Sequence, residues 1–447
     1  MDFRSFDPQQ DKREIIDLLA SGQRRESMGG HVFIAVKSTR IYCRPTCCAK
    51  MPKYENITLY PSVAQAEEAG YRPCLLCRPE CSPGLAPSGL LLAKNLLTET
   101  TLDLGVVAQA AGFKGAQQLQ EALQAKYRLT AEGLRKKKRA VVSEGCLAVS
   151  LGYRPPYDWD RMLEFLAMRV IPGVEAVEGG AYLRTVRLQD RAGADVFGWL
   201  RVTRHPRKPA LRLEASLSLA PVFDQVVTRC VKLFDLGCDP DLVQDGLRSM
   251  SQLGPQLPYP GLRVPGCFDS FEMAVRAVLG QQITVKAAST LAGRVAKTLG
   301  QPLPEGLSED APCLTHVFPT AQELLDLGDS FGDALGQLGV TRMRQKTIHA
   351  LAEGMVDGSL DFAHADPEEM IKRLNALPGI GNWTANYLTM RMMAYTDAFP
   401  ATDLGVIKAL GIKKEKDVIA AAQGWRPYRA YATLNLWNKE VEAALGR

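Results

Sequence analysis

The stretch ALPGIGNWTANYLTMR, Ala376 to Arg391, predicts the architecture of the C-terminal half of this chain. Two glycines, Gly379 and Gly381, flank the apolar Ile380, which predicts a tight hairpin between two helices. The first backbone N–H groups of the second helix have no carbonyl partner within that helix, so they can hold a phosphate. We therefore expect Gly379, Ile380 and Gly381 to contact a phosphate group.

An aspartate follows the hairpin in the stretch DAFPATDLGVIKAL, where Asp403 begins another predicted helix. A carboxylate close to a phosphate-binding turn can act in catalysis, because it can stabilise positive charge that develops on a bound substrate. The alternative role is that of a helix N-cap, since Asp is common at that position. The two roles are compatible, and Asp403 is the candidate catalytic residue.

A helix-hairpin-helix, a Gly/Pro-rich loop and an Asp together resemble the superfamily of base-excision DNA glycosylases built on this motif. The resemblance implies that the hairpin contacts the DNA backbone. It also implies that Asp403 stabilises the positive charge that develops on the sugar when its N-glycosidic bond breaks. From about Leu147 to Leu445 the chain resembles the AlkA-type 3-methyladenine DNA glycosylases within it. The resemblance rests on RPPYDWDRMLEFLAMR (154–169), VPGCFDSFEMAVRAVLGQQITVKAA (264–288), LPGIGNWTANY (377–387) and WRPYRAYATLNLW (425–437). It implies a small antiparallel β-α domain in front of a helical domain, which agrees with the alternating runs between residues 147 and 216.

The same resemblance assigns a base pocket to four aromatic residues: Phe165, Trp383, Tyr387 and Trp437. Alkylated bases are often cationic and stack well on aromatic faces once they leave the duplex. The alternative for these residues is an ordinary aromatic core. Gln282, in LGQQITV, stands where the family inserts an apolar wedge into the duplex, and a glutamine there departs from the family pattern.

Two further features predict the type of reaction and the absence of an iron–sulfur cluster. Bifunctional members of the superfamily carry a lysine in the helix after the hairpin, and here that position is Trp383, with no lysine between Gly379 and Asp403. We therefore expect a monofunctional enzyme that removes the base without cutting the strand. Members with an iron–sulfur cluster carry four closely spaced cysteines near the C-terminus. The last cysteine here is Cys313, so no such cluster is expected.

Cysteines are concentrated near the N-terminus, in YCRPTCCAK (42–50) and RPCLLC (72–77). Pairs at both ends of a loop predict one tetrahedral Zn²⁺ held by four thiolates. The predicted ligands are Cys43, Cys47, Cys74 and Cys77. Cys48 and Cys81 are spare candidates.

Residues 40–80 resemble the N-terminal zinc domain of the Ada adaptive-response proteins. That resemblance implies that Cys43 accepts a methyl group from a methylphosphotriester in DNA. Arg44 could hold a neighbouring phosphate and further activate the sulfur. Cys77 is the alternative acceptor, because it too precedes an arginine, Arg78.

A second DNA-binding element is predicted behind a Pro/Gly/Ser-rich linker. Residues 108–135 resemble one AraC-type helix-turn-helix module, whereas Ada proteins carry two. Gln117, Gln118 and Gln120 could reach base edges, and the basic run from Lys126 to Arg139, including Lys136 and Lys137, could contact phosphates. The alternative is a three-helix spacer with a solvated basic end.

Length and composition agree with several packed domains, since the chain has 447 residues of which 46% are hydrophobic. We predict a multidomain, mainly α protein with α+β parts. Its parts are a zinc domain (1–81), a single helix-turn-helix (82–140), an antiparallel β-α subdomain (146–220) and a helical helix-hairpin-helix domain (221–447). No apolar run is long enough for a membrane span, and the charged N-terminus does not look like a signal peptide.

These features predict a DNA alkylation-repair glycosylase fused to a methyl-accepting zinc domain. Its expected partner is duplex DNA with alkylated bases and methylphosphotriesters, with RNA polymerase as a further candidate, and its expected location is the cytoplasm, at the nucleoid. The alternative is a transcriptional regulator whose C-terminal half binds damage without catalysis. Asp403 argues against that alternative, because a binding module needs no carboxylate beside the sugar.

Overall fold

The computed structural model describes residues 7, 11–20, 32–45, 47, 52–74, 79, 86–87, 89–127, 129–136, 145–307, 309 and 311–445. Two of the predicted site residues, Cys77 and Lys137, lie outside the described residues, as do Cys48 and Cys81. No helix in the described part of the chain is long and apolar enough to cross a membrane.

The N-terminal domain is a small sheet covered by short helices. Its elements are α1 (Lys12–Ala20), β1 (Phe33–Val36), β2 (Ile41–Cys43), β3 (Ile57–Tyr60), α2 (Val63–Glu68) and β4 (Arg72–Pro73). The strand order is β3-β1-β2-β4, and β2 runs parallel to β4. Because these two strands are neighbours, the cysteine that ends β2 and the one that follows β4 are brought side by side.

Four helices follow: α3 (Gly89–Glu99), α4 (Leu104–Ala110), α5 (Ala116–Tyr127) and α6 (Ala131–Arg135). The turn between α4 and α5 contains Gly112, whose φ of +78° is the left-handed conformation that glycine adopts most readily. The order of the helices around this turn is compatible with the predicted helix-turn-helix, in which α5 would be the recognition helix.

An antiparallel sheet comes next, formed by β5 (Leu147–Gly152), β6 (Glu175–Glu178), β7 (Ala181–Gln189), β8 (Asp195–Arg204) and β9 (Ala210–Ala215). The strand order is β5-β9-β8-β7-β6. The helix α7 (Trp159–Ala167) lies in sequence between β5 and β6. Its N-cap is Asp158, whose side chain accepts a hydrogen bond from the Arg161 N–H. The alternating runs in the sequence correspond to β5, β7, β8 and β9, whereas β6 was not predicted.

The rest of the described chain is almost entirely helical. It contains α8 (Phe223–Leu233), α9 (Pro240–Gly246), α10 (Ser270–Leu279), α11 (Val285–Leu299), β10 (Gln301–Pro302), β11 (His316–Val317), α12 (Ala321–Leu325), α13 (Phe331–Gln337), α14 (Arg342–Val356), α15 (Pro367–Asn375), α16 (Asn382–Met392), α17 (Leu404–Leu410), α18 (Glu415–Ala421) and α19 (Arg429–Leu445). The predicted hairpin joins α15 to α16.

A buried ion cluster fixes the sheet to the helical part. Arg184 on β7 donates to Glu272 on α10 at 2.8 Å and lies 3.7 Å from Glu175 on β6. Burial raises the pKa of Glu272 above its usual value, although the Arg184 charge opposes this rise. The cluster holds α10, and with it the loop after α10, in a fixed position relative to the sheet.

The hydrophobic cores of the described residues do not follow the domain boundaries that were predicted from the composition of the sequence. One continuous core extends from Leu92 in α3, through the sheet, to Leu436 in α19. The edge strand β5 lies against α3, where Ser150 Oγ donates to Glu99 Oε2 at 2.8 Å. The N-terminal domain has its own small clusters on the two faces of its sheet. The helix-turn-helix is therefore packed as part of the C-terminal body.

Candidate active site and zinc centre

Asp403 lies at the start of α17 and receives three N–H donors. Its Oδ1 accepts from the Val406 backbone N–H at 3.0 Å and from Trp437 Nε1 at 2.7 Å. Its Oδ2 accepts from Trp383 Nε1 at 2.8 Å. The carboxylate is therefore a helix cap, and it also bonds two of the predicted pocket residues. Among the described residues, Oδ2 has this one partner, so a lone pair remains for a substrate or a water molecule.

The four predicted pocket aromatics come together around this carboxylate. Trp383 and Tyr387, one turn apart on α16, stack with ring centroids 5.1 Å apart and planes inclined by 15°. Phe165 on α7 and Trp437 on α19 are also nearly parallel, with centroids 6.5 Å apart. Both indoles remain partly exposed, whereas Phe165 and Tyr387 are 9% and 8% exposed. The structure thus places partly open indoles beside Asp403, with buried rings in contact with them.

The hairpin is built against α14. Gly379 has a φ of +76°, and a Cβ there would lie 2.4 Å from Thr347 Oγ1. Gly381 is the N-cap of α16 and offers no capping side chain, which leaves the first N–H groups of this helix for another acceptor. Ile380 is 5% exposed, so its side chain packs inside and only its backbone belongs to the hairpin surface.

Gln282 lies in the turn between α10 and α11. Its side chain is exposed and its φ is +56°, a conformation uncommon for residues other than glycine. The exposed position is compatible with the predicted insertion into a duplex.

Three of the predicted zinc ligands form a cluster. The Sγ atoms of Cys43, Cys47 and Cys74 all lie within 4.8 Å of one another. Thiolate sulfurs around a tetrahedral zinc ion are separated by about 3.8 Å, because each Zn–S bond is about 2.3 Å long. Two backbone contacts hold the cluster: the Cys47 N–H donates to the Arg44 carbonyl at 3.1 Å, and the Cys74 N–H donates to the Tyr42 carbonyl at 3.0 Å. The donor set therefore fits Zn²⁺.

Comparison with known proteins agrees with both sites. Residues 19–80 match the metal binding domain of Ada, residues 148–269 the AlkA N-terminal domain, and residues 275–416 the HhH-GPD superfamily of base excision DNA repair proteins. The Mycobacterium tuberculosis (strain CDC 1551 / Oshkosh) protein named "Probable bifunctional transcriptional activator/DNA repair enzyme AlkA" is 31% identical, over 91% of this chain and 92% of that protein. The chain belongs to the bifunctional Ada/AlkA family.

Two further relatives are similar to the C-terminal part of this Ada/AlkA protein. DNA-3-methyladenine glycosylase 2 of Escherichia coli (strain K12) is 35% identical, over 65% of this chain and 97% of that protein. The structure of a 3-methyladenine DNA glycosylase from Archaeoglobus fulgidus has the same fold, with a TM-score of 0.53 at 22% identity, over 64% of this chain and 96% of that one. The predicted fold class, the Ada-type zinc domain and the DNA-3-methyladenine glycosylase domain are thereby confirmed, and the alternative of a non-catalytic regulator is set aside. The roles of individual residues stay predictions.

The structure also locates the DNA-binding residues predicted in the helix-turn-helix of this Ada/AlkA protein. Gln117 and Gln118 are exposed on α5, whereas the side-chain oxygen of Gln120 is buried, because that position faces inward. Lys136 is exposed just after α6. Arg135, from the same basic run, instead donates to the Leu102 carbonyl within the module.

Sequence reasoning missed a set of arginines that contact the predicted pocket aromatics. Arg391 Nη1 donates to the Tyr387 hydroxyl at 2.6 Å, and its guanidinium also bonds the Pro265 and Gly266 carbonyls. Arg169 lies 3.8 Å from the centre of the Phe165 ring. The available signal was a charge inside an otherwise buried helix, in YLTMRMM, since such a charge requires partners.

These arginines alter the chemistry of the pocket wall. Burial favours the neutral form of Tyr387, but the charges of Arg391, Arg169 and Arg276 outweigh it and lower the pKa of this tyrosine below its usual value. Burial also lowers the pKa of Arg169 to about 10, and the charges of Arg391 and Arg276 act in the same direction. The wall behind the indoles is therefore polar and positively charged, whereas Asp403 supplies negative charge at the indole edges.

Proposed function

We propose that the C-terminal part of this chain hydrolyses the N-glycosidic bond of alkylated bases in duplex DNA, with Asp403 as the catalytic carboxylate. The observation that carries the proposal is the pair of indole N–H groups on this carboxylate, from Trp383 at 2.8 Å and Trp437 at 2.7 Å. This arrangement fixes a negative charge beside the aromatic faces on which a base would stack.

The proposed binding step uses the hairpin and the loop after α10. Backbone N–H groups at the start of α16 hold a phosphate, because Gly379 and Gly381 keep side chains away from it. Gln282 enters the duplex where the target base leaves, and its amide can hydrogen-bond the base that remains. The extruded base then stacks on the partly exposed Trp383 and Trp437.

The proposed chemical step relies on charge. A purine alkylated on a ring nitrogen carries positive charge and departs as a neutral base, so it needs no general acid. Positive charge develops on the sugar as the bond breaks, and the Asp403 carboxylate stabilises it and orients the attacking water. The rigid hydrogen bonds from the indoles keep the carboxylate in place without reorganisation during the reaction.

The product is expected to be a free base and an intact abasic strand, because no lysine is available at the position of Trp383 to form a Schiff base. The test is chromatography of bases released from methylated duplex DNA, together with denaturing electrophoresis of the strand and borohydride trapping. Release of methylated base with an uncut strand and no trapped adduct supports the proposal. A covalent enzyme–DNA adduct would show a lyase reaction and contradict it.

For the N-terminal domain we propose methyl transfer to Cys43. The supporting observation is the cluster of three thiol groups within 4.8 Å, with Arg44 directly after Cys43. Bound zinc keeps the coordinated sulfurs as thiolates at neutral pH. The Cys43 sulfur attacks the methyl carbon of a methylphosphotriester, the methyl–oxygen bond breaks, and a phosphodiester leaves with the electron pair.

The transfer is expected to strengthen DNA binding. Four thiolates around one Zn²⁺ carry net negative charge, which the phosphate backbone repels, and conversion of one thiolate to a thioether removes part of it. Mass spectrometry after incubation with methylphosphotriester DNA is the test. The peptide that contains Cys43 should gain one methyl group, about 14 Da. A methyl on Cys77 or Cys48, or no transfer to the zinc-loaded protein, would contradict the assignment.

We further propose that this Ada/AlkA protein acts at the nucleoid in the cytoplasm and that Gln117, Gln118, Lys136 and Lys137 contribute DNA contacts. The exposure of the first three of these residues supports this role. RNA polymerase is a partner only if the single helix-turn-helix recognises a promoter. Footprinting on the promoter of the chain's own gene, with and without methylated Cys43, tests that point, and protection independent of sequence would contradict it.

A further inference from the structure

The loop that carries Gln282 has a conformation that its own sequence does not favour. It connects α10 to α11, and Gln282 adopts a φ of +56° with an exposed side chain. A glutamine in the left-handed region is held there by surrounding contacts, since its Cβ disfavours this conformation. Two neighbouring side chains supply such contacts.

The first contact comes from the residue before it. Gln281 Nε2 donates to the Gly379 carbonyl at 3.0 Å and to Thr384 Oγ1 at 3.2 Å. Gly379 is the left-handed glycine of the hairpin, and Thr384 lies in the first turn of α16. One amide group therefore joins the loop to both sides of the proposed phosphate-binding turn.

The second contact comes from α14. Arg344 Nη2 donates to the Gln281 backbone carbonyl. The same helix also holds the hairpin, since Thr347 Oγ1 donates to the Pro378 carbonyl at 2.8 Å. The loop, the hairpin and α14 thus form one hydrogen-bonded unit in which Gln281 contacts both of the other parts.

We propose that Gln281 and Arg344 are positioning residues that hold Gln282 at a fixed distance from the hairpin. The hairpin then binds the phosphate backbone at the same time as Gln282 inserts into the duplex. This inference rests on the proposed function, in which Gln282 fills the space of the extruded base. Without these contacts, Gln282 is expected to relax to an ordinary backbone conformation and to insert less well.

The test compares single-turnover excision of the same methylated purine when it is correctly paired and when it is mispaired. A mispaired base costs less to extrude, so its excision depends less on the inserted side chain. Gln281→Glu keeps the shape of the side chain but places a carboxylate oxygen against the Gly379 carbonyl. Arg344→Gln removes the contact from α14, and Arg342→Gln is its matched control, since it removes a charge from the same turn at an exposed position.

For Gln281→Glu and Arg344→Gln, excision of the paired base should fall about tenfold and that of the mispaired base by about twofold or less. Arg342→Gln should change both rates by the same factor. Thermal unfolding of each variant checks that the fold is retained. Equal losses on both substrates, or wild-type rates on both, would overturn the positioning role. A wild-type protein that releases neither base would instead overturn the proposed function.

Discussion

Asp403 combines a structural role and a proposed chemical role in one carboxylate. Its Oδ1 caps α17 through the Val406 N–H, while the indoles of Trp383 and Trp437 bond its two oxygens. Because the cap fixes the side chain to a helix end, the carboxylate cannot rotate away from the indoles without a loss of helix stability. The cap is thus part of what orients the proposed catalytic group.

The indole N–H groups can be tested separately from the aromatic faces. Trp383→Phe and Trp437→Phe retain a ring for stacking but remove a hydrogen bond to a charged group. We expect each to slow base release about tenfold, since such bonds contribute about 1.5–3 kcal/mol and this site is partly exposed. The control is Trp425→Phe, whose Nε1 bonds Ser249 Oγ at 3.1 Å. Unchanged release by both pocket variants would show that orientation of Asp403 does not depend on the indoles.

The residues of the site were predictable from sequence where they lie in a local pattern. Asp403 follows the hairpin at short spacing, and the family resemblance added the four aromatic residues Phe165, Trp383, Tyr387 and Trp437. Arg391 and Gln281 were not predictable, because their roles depend on contacts with segments about a hundred residues away or more in sequence, at Pro265 and at Gly379. At these distant segments their partners are backbone carbonyls, which every residue type offers, so no pattern of residue types identifies them.

At the scale of the element, the hairpin depends on a close approach between helices. Gly379 lies against Thr347 of α14 in a left-handed conformation. Two glycines around an apolar residue predicted the turn itself, since that spacing reflects backbone geometry. The packing of the turn against α14 was not predictable, because it involves a threonine more than thirty residues earlier that has no special sequence context.

Gly379→Ala should therefore distort the hairpin and weaken binding to duplex DNA. The added Cβ would lie 2.4 Å from Thr347 Oγ1, and the positive φ adds strain. We expect a loss of about 1–3 kcal/mol in stability and a weaker affinity for unmodified duplex in a fluorescence anisotropy titration. Gly358→Ala is the control, since Gly358 has a φ of +80° with no atom within 4 Å of the added Cβ. Equal affinities of the two variants would contradict the role of the hairpin.

At the scale of the whole molecule, packing joins the helix-turn-helix to the glycosylase part and leaves the zinc domain with its own small cores. Composition and the cysteine spacing predicted the zinc domain well, because metal ligands are identifiable locally. The shared core was not predictable, since it depends on α3 lying against β5. The described contacts between the zinc domain and α5 include the ion pair of Lys126 with Glu67, at 3.3 Å and partly exposed, and such pairs stabilise little.

Removal of zinc should consequently destabilise the zinc domain without unfolding the glycosylase part. Without the ion, the sulfurs of Cys43, Cys47 and Cys74 lose the bonds that hold them together, and the small hydrophobic clusters of this domain provide little compensating burial. We expect a chelator to make the zinc domain sensitive to trypsin while base release stays within about twofold of its initial rate. Adding Zn²⁺ back should restore the resistance of the zinc domain to trypsin. A parallel loss of base release would show that the two ends are coupled more strongly than their packing indicates.

The most direct measurement is single-turnover base release from methylated duplex DNA by the wild-type protein and by Asp403→Asn. Asparagine can still cap α17, so the variant should fold and bind duplex DNA as the wild type does. The loss of the negative charge should slow release by about 10²-fold or more, which corresponds to about 3 kcal/mol of transition-state stabilisation. Release at the wild-type rate by a correctly folded Asp403→Asn protein would remove this carboxylate from the mechanism.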